Sequence, residues 1–142
     1  MNISIINGPN LNLVGQREPD LYGTTSLDTY LRQLTARYPQ VEFSMFQSNH
    51  EGALIDELHR VGFSATGIVL NAGAYTHTSL ALADAVRAIP VPVVEVHLTN
   101  VQAREPIRRQ SLIAPACLGV IAGLGLDSYR LAIEAFIQRN QP

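Results

Sequence analysis

Five short runs rich in Val and Ile, separated by stretches with helical spacing, constrain the fold of this chain more than any other feature. The runs cover residues 3–7, 41–46, 67–71, 93–97 and 117–122. They are mostly continuous rather than alternating, as expected of strands covered on both faces. Between them, Leu27, Tyr30, Leu31 and Leu34 share one helical face, with Ser26 placed as an N-cap. Leu54, Ile55, Leu58 and Val61 form a second face, closed by Gly62. Leu82, Val86 and Ile89 form a third, stopped by Pro90 and Pro92, and Leu131, Ala135 and Phe136 mark a last helix. Residues 106–110 allow only a short turn between the fourth and fifth strands.

Strands alternating with helices predict an α/β fold: a doubly wound five-stranded parallel sheet with helices on both faces. The flavodoxin-like order 2-1-3-4-5 is the leading arrangement. The length of 142 residues fits a single domain over 1–142. In such sheets ligands bind beyond the carboxyl ends of the strands. That rule singles out 7–10, 47–51, 71–77 and 95–104. The connection 8–25 exceeds the two to six or so residues usual for such loops, and it carries Asn10, Arg17 and Tyr22. It reads as a lid over the ligand end.

Composition removes several function classes. A net charge of -2 leaves no basic stripe for nucleic acid and no polybasic segment for a membrane surface. No apolar run approaches the roughly 18 residues of a membrane span. The single cysteine, Cys117, cannot form an internal disulfide, and the opening residues lack a charged-then-apolar leader. A cytoplasmic location is the default expectation. All ten basic residues counted as Lys or Arg are arginines. Carbonyl chemistry through a lysine Schiff base is therefore closed to this chain.

The polar residues at the strand ends form several sets. Glu95 and His97 stand at i and i+2, on one face of a strand, where a carboxylate can orient an imidazole or support its charge. His97 is thus a candidate general acid; a half-buried structural histidine fits the same spacing. Arg17 and Tyr22 share the long loop. A tyrosine pKa of about 10 is too high for a base at neutral pH, and a nearby guanidinium favours the phenolate. A loop-anchoring tyrosine and a solvent-facing arginine fit equally well. Arg104, Arg108 and Arg109 suggest a grip on an anionic small molecule, or a solvated face. His77 and Asp84 lie seven apart, near one face of a helix whose start is read in residues 76–79. Ordinary capping suits Thr76 best. No His or Cys group has metal-site spacing, and Gly8-Pro9-Asn10 is neither a P-loop nor a dinucleotide fingerprint.

Taken in order, these segments resemble the type II 3-dehydroquinate dehydratases over nearly the whole chain. The resemblance is carried by Ile6-Asn7-Gly8-Pro9-Asn10-Leu11, Arg17-Glu18-Pro19 with Tyr22-Gly23, and Gln47-Ser48-Asn49-His50-Glu51-Gly52. It continues through Leu70-Asn71-Ala72-Gly73, Thr76-His77-Thr78-Ser79, Glu95-Val96-His97-Leu98-Thr99-Asn100, Arg104-Glu105 and the run 119–125. It implies a flavodoxin-like, cofactor-free and metal-free enzyme that removes water from 3-dehydroquinate to give 3-dehydroshikimate, in the shikimate pathway. It implies a dodecamer of four trimers. Tyr22 would take the proton beside the ketone, with Arg17 favouring its phenolate. Asn10 would stand near the enolate, and His97, held by Glu95, would protonate the departing hydroxyl. Asn71, His77, Leu98, Thr99 and Arg108 would hold substrate. Asp84 would reach a neighbouring subunit's site, and Arg104 would support lid closure. Thr99 replaces the usual serine, Ile107 and Gln110 replace Phe and His, and Ala83 stands where arginine is common. Two other classes remain as alternatives. A flavodoxin-like binding module would need a Ser/Thr-rich phosphate loop or an acidic cluster after the first strand. An inactive scaffold homologue would be expected to have lost Tyr22, Arg17 or His97.

Overall fold

Burial follows from which strands have two neighbours. A computed structural model describes residues 1–16, 20 and 24–142. Its five parallel strands are β1 (Asn2–Asn7), β2 (Glu42–Gln47), β3 (Gly67–Asn71), β4 (Val93–His97) and β5 (Gly119–Ala122), ordered β2-β1-β3-β4-β5. The predicted order is the observed one. β3 and β4 are buried along their length, and β1 from Ile3 onward. β2 and β5 are edge strands with exposed residues, so the expectation of burial on both faces fails there.

Side-chain alternation divides the core into two layers. Ile3, Ile5, Val69, Val94 and Val96 pack on one face, against α1 (Leu27–Thr35) and α4 (Asp127–Arg139). Ile6, Ile68, Leu70 and Val93 pack on the other, against α2 (Glu51–Val61) and α3 (Leu80–Ala88). Ser26 caps α1, accepting from the Thr29 N–H at 3.1 Å. Three local readings change. The buried face of α4 is Tyr129, Ala132, Ile133, Phe136 and Ile137, one residue on from the Leu131 and Ala135 read from spacing. Gly62 ends α2 in right-handed geometry (φ −67°), not as a left-handed cap. Its missing Cβ instead leaves room for the Ile89 side chain. His77 is not on α3; it ends a separate 3-10 turn, Gly73–His77, and Ser79 caps α3 by accepting from the Leu82 N–H at 2.9 Å. The stretch 106–110 is, as read, a short 3-10 turn, Pro106–Arg109.

The strand ends converge because β1 and β3 stop in register, Asn7 opposite Asn71. Gly8 then donates its N–H to the Asn71 carbonyl at 2.7 Å. A Cβ at Gly8 would stand 2.5 Å from the Ala72 carbonyl oxygen, so no other residue permits this approach. We expect Gly8→Ala to lower stability by about 1–3 kcal/mol, as overpacking against backbone does. Urea unfolding measures it; an unchanged midpoint would show that the two strand exits can part freely.

Candidate active site

A cavity opens where β1, β3 and β4 end. Its lining includes Asn10, Asn71, His97, Leu98, Thr99, Arg104 and Arg108, seven of the residues singled out from sequence. Arg17 and Tyr22 lie outside the described residues.

β4 carries the central pair. Alternation sends Glu95 and His97 to the same face, and both are buried. The His97 Nε2 donates to Glu95 Oε1 at 3.1 Å, which leaves the other ring nitrogen for chemistry. Glu95 has no exposed surface, so its carboxylate must be satisfied internally. Thr76 Oγ1 donates to it at 3.0 Å, and the Ser111 hydroxyl lies 2.8 and 3.1 Å from its two oxygens. The Ala114 N–H in turn donates to Ser111 Oγ at 2.9 Å, which turns the hydroxyl proton towards the carboxylate. Burial, the largest single influence, pushes the Glu95 pKa up. The hydrogen bond and charge of His97 outweigh it together with the Ser111 and Thr76 hydroxyls, and the pKa falls below the usual carboxylate value. Glu95 is therefore ionised at neutral pH. Its charge is the second cause, after burial, that drives the Cys117 thiol up to about 12. Thr76 is thus no helix cap, contrary to the sequence reading. Ser111 carried no signal in sequence, because a serine sixteen positions from a glutamate is unremarkable until the chain folds.

His77 is half-buried beside the pair. Its ring stacks on His97 with centroids 6.3 Å apart and planes 20° apart. Its Nδ1 donates to the Gln110 carbonyl at 2.7 Å, which fixes the tautomer, since a carbonyl can only accept. Gln110 acts here through its backbone, so its side-chain departure from the family pattern leaves this contact intact. Asp84 is turned away from this chain's cavity, exposed and 3.6 Å from Arg87. The shared face read for His77 and Asp84 is not formed.

The arginines separate by role. Arg104 and Arg108 line the cavity, and Glu105 pairs with Arg108 Nε at 2.9 Å. That pairing holds the Glu105 pKa below its usual value. Arg104 and Arg108 do not share a helical face, because Arg104 is extended and precedes the turn. Arg109 does not line the cavity; its Nε donates to the Arg104 carbonyl at 3.2 Å.

Asn10 is the only described non-glycine residue with positive φ, at 68°. Asn tolerates this left-handed conformation better than most residues. It is held there by its N–H, which donates to Asn49 Oδ1 at 3.0 Å. Gln47 Nε2 reaches the Gly8 carbonyl at 3.1 Å, and the Tyr75 hydroxyl donates to the Asn49 carbonyl at 2.8 Å. The segment after β2 therefore braces the loop that carries Asn10 and does not itself line the cavity. Tyr129, unremarked in sequence, lies fully buried between Asn7 and Asn71.

Comparison with known proteins places this arrangement. The family described as "Dehydroquinase class II" matches residues 1–137. A 3-dehydroquinate dehydratase of an Exiguobacterium species is 56% identical over 139 residues, spanning 97% of this chain and 95% of that protein. One from Bacillus licheniformis is 54% identical, spanning 98% and 97%. The crystal structure of a type II dehydroquinase from Butyrivibrio crossotus superposes with TM-score 0.93 at 40% identity, over 96% of this chain and 97% of that one.

The ionised Glu95 has a stability signature. Its depressed pKa contributes stability above the ordinary carboxylate value, and that contribution is lost as pH falls through the folded value. The stability difference between the wild type and Glu95→Gln should therefore shrink as pH drops from about 6 to below about 4. Urea midpoints across that range read it; a gap that widens towards acid would mean that Glu95 is buried neutral.

Proposed function

The chain belongs to the class II dehydroquinase family and is a 3-dehydroquinate dehydratase, a hydro-lyase that works without a Schiff base; we propose how its residues divide that work. The observation that carries the proposal is the Glu95–His97 pair, buried behind a cavity that Asn10 and Arg108 also line.

The reaction removes a proton beside a ketone and a hydroxyl one carbon further on. Tyr22, ionised beside Arg17, takes the proton, and the electron pair moves to the ketone oxygen as an enolate. Lowering a tyrosine pKa by two units requires roughly 2.7 kcal/mol of differential interaction, within the reach of one desolvated guanidinium. Asn10 stands by the enolate oxygen, through a water. The enolate then collapses, the carbon–oxygen bond breaks, and His97 supplies the proton that turns the departing hydroxide into water. Glu95 stabilises the imidazolium that delivers this proton. Proton return from Tyr22 to His97 resets the site. No step needs a metal or an organic cofactor.

Arg108, oriented by Glu105, grips the substrate carboxylate, and Asn71, Leu98 and Thr99 of the cavity wall, with His77 stacked on His97, hold its oxygens. Arg104 supports closure of the lid, and Asp84, exposed on α3, reaches the cavity of a neighbouring subunit. The chain is one catalytic domain over 1–142 and assembles as a dodecamer of four trimers. Exposed Leu80, Ile107, Val120 and Leu124 suit burial between subunits. Among the described residues no helix is long and apolar enough to cross a membrane. The place of action is the cytoplasm.

Ultraviolet absorbance of the conjugated product tests the division of labour. With EDTA present the wild type should form product, and Tyr22→Phe should lose about two to four orders of magnitude in kcat with KM held within a few-fold. Near-normal turnover would remove Tyr22 as the base. Borohydride added with substrate should leave activity intact; covalent trapping would contradict the enolate route.

A further inference from the structure

Tyr129 joins the ends of the two central strands. It stands in the first turns of α4, has no exposed surface, and its hydroxyl lies between the side chains of Asn7 and Asn71. Those two asparagines face each other across the β1–β3 pairing. Tyr129 Oη is 2.6 Å from Asn7 Oδ1 and 2.9 Å from Asn71 Nδ2.

The hydrogen count fixes the direction of every bond in this chain of three. A phenol has one proton, and Asn7 Oδ1 can only accept, so Tyr129 gives its proton to Asn7. Asn71 must then donate to Tyr129, which turns its amide nitrogen towards the hydroxyl. Its carbonyl Oδ1 is on the other side and accepts from the Gly73 N–H at 3.2 Å. Two separate contacts thus select the same amide orientation. The second Nδ2 proton of Asn71 has no partner among the described residues, and Asn71 lines the cavity. Burial raises the Tyr129 pKa, so the hydroxyl stays protonated throughout the working pH range.

We propose that Tyr129 is a positioning residue for the dehydratase: it locks the Asn71 amide so that Asn71 meets the substrate as a donor, to a hydroxyl or carboxylate oxygen. Tyr129 itself touches no substrate. Without its hydroxyl, only the Gly73 N–H at 3.2 Å still holds the Asn71 amide, and the turned orientation, which presents an acceptor to an oxygen-rich ligand, gains population. This rests on the reading that Asn71 binds substrate, which Asn71→Ala examines on its own.

The test is a double-mutant cycle on kcat/KM with Tyr129→Phe and Asn71→Ala. If Tyr129 acts through Asn71, Tyr129→Phe lowers kcat/KM about five- to tenfold in the wild type, chiefly through KM, and by a factor near one in Asn71→Ala. A role in stability alone lowers Tm but gives the same factor in both backgrounds, or none, and overturns the proposal. Should Asn71→Ala alone leave kcat/KM unchanged, the substrate-binding reading of Asn71 fails, and the proposal with it. Asn7→Ala is the second route if Tyr129→Phe does not fold. It removes the acceptor that fixes the hydroxyl, and it should raise KM in the wild type but not in Asn71→Ala; equal effects in both would overturn the proposal.

Discussion

A carboxylate without solvent must be satisfied by the protein, and Glu95 is such a group. Removing a carboxylate from water costs several kcal/mol even after relaxation. Three segments meet that cost together: His97 from its own strand, Thr76 from the turn after β3, and Ser111 from the stretch before β5. The same segments are stitched by bonds to backbone carbonyls. The Leu112 N–H donates to the Thr76 carbonyl at 2.8 Å, and His77 donates to the Gln110 carbonyl at 2.7 Å. Arg108 stands two residues before this seam. The cluster that keeps Glu95 charged therefore also fixes where Arg108 enters the cavity, and it orients the imidazole from behind.

The second organising contact lies one strand over. Gly8 lets the β1 exit press against the β3 exit, and Tyr129 ties Asn7 to Asn71 across it. The exit of β4 is held from the other side, where the Gly123 N–H donates to the His97 carbonyl at 3.3 Å and the Gly125 N–H to the Leu98 carbonyl at 2.9 Å. The cavity is built on strand ends whose relative positions are set by short backbone contacts. That rigidity suits a site whose groups must approach reacting atoms within a fraction of an ångström.

The fold was legible because its signals are local. Val/Ile runs and helical spacing identify strands and helices, and alternation alone puts Glu95 beside His97. Strand and helix alternation implied a parallel, doubly wound sheet, and the order taken as the leading arrangement is the observed one. Legibility ended where a position depends on distant packing. The buried face of α4 sits one residue from its apparent spacing, since the helix is turned to seat Tyr129 and Phe136. His77 and Asp84 parted because a 3-10 turn, and not helix, follows β3. Thr76 was read as a cap, and Ser111 and Tyr129 stayed silent, for the same reason: a hydroxyl carries no sequence signature for a partner that reaches it only through the tertiary fold. The catalytic roles of Tyr22 and Arg17 rested on family resemblance, since spacing within a loop does not specify geometry.

In the proposed division of labour, proton removal by Tyr22 precedes proton delivery by the Glu95-supported His97. Proton NMR of 3-dehydroquinate in deuterated water separates the two steps. In His97→Asn the base is intact, so the substrate should exchange the hydrogen beside its ketone for deuterium while product formation collapses. In Tyr22→Phe both should disappear. Loss of exchange together with elimination in His97→Asn would contradict the account, because His97 would then be needed before the enolate forms.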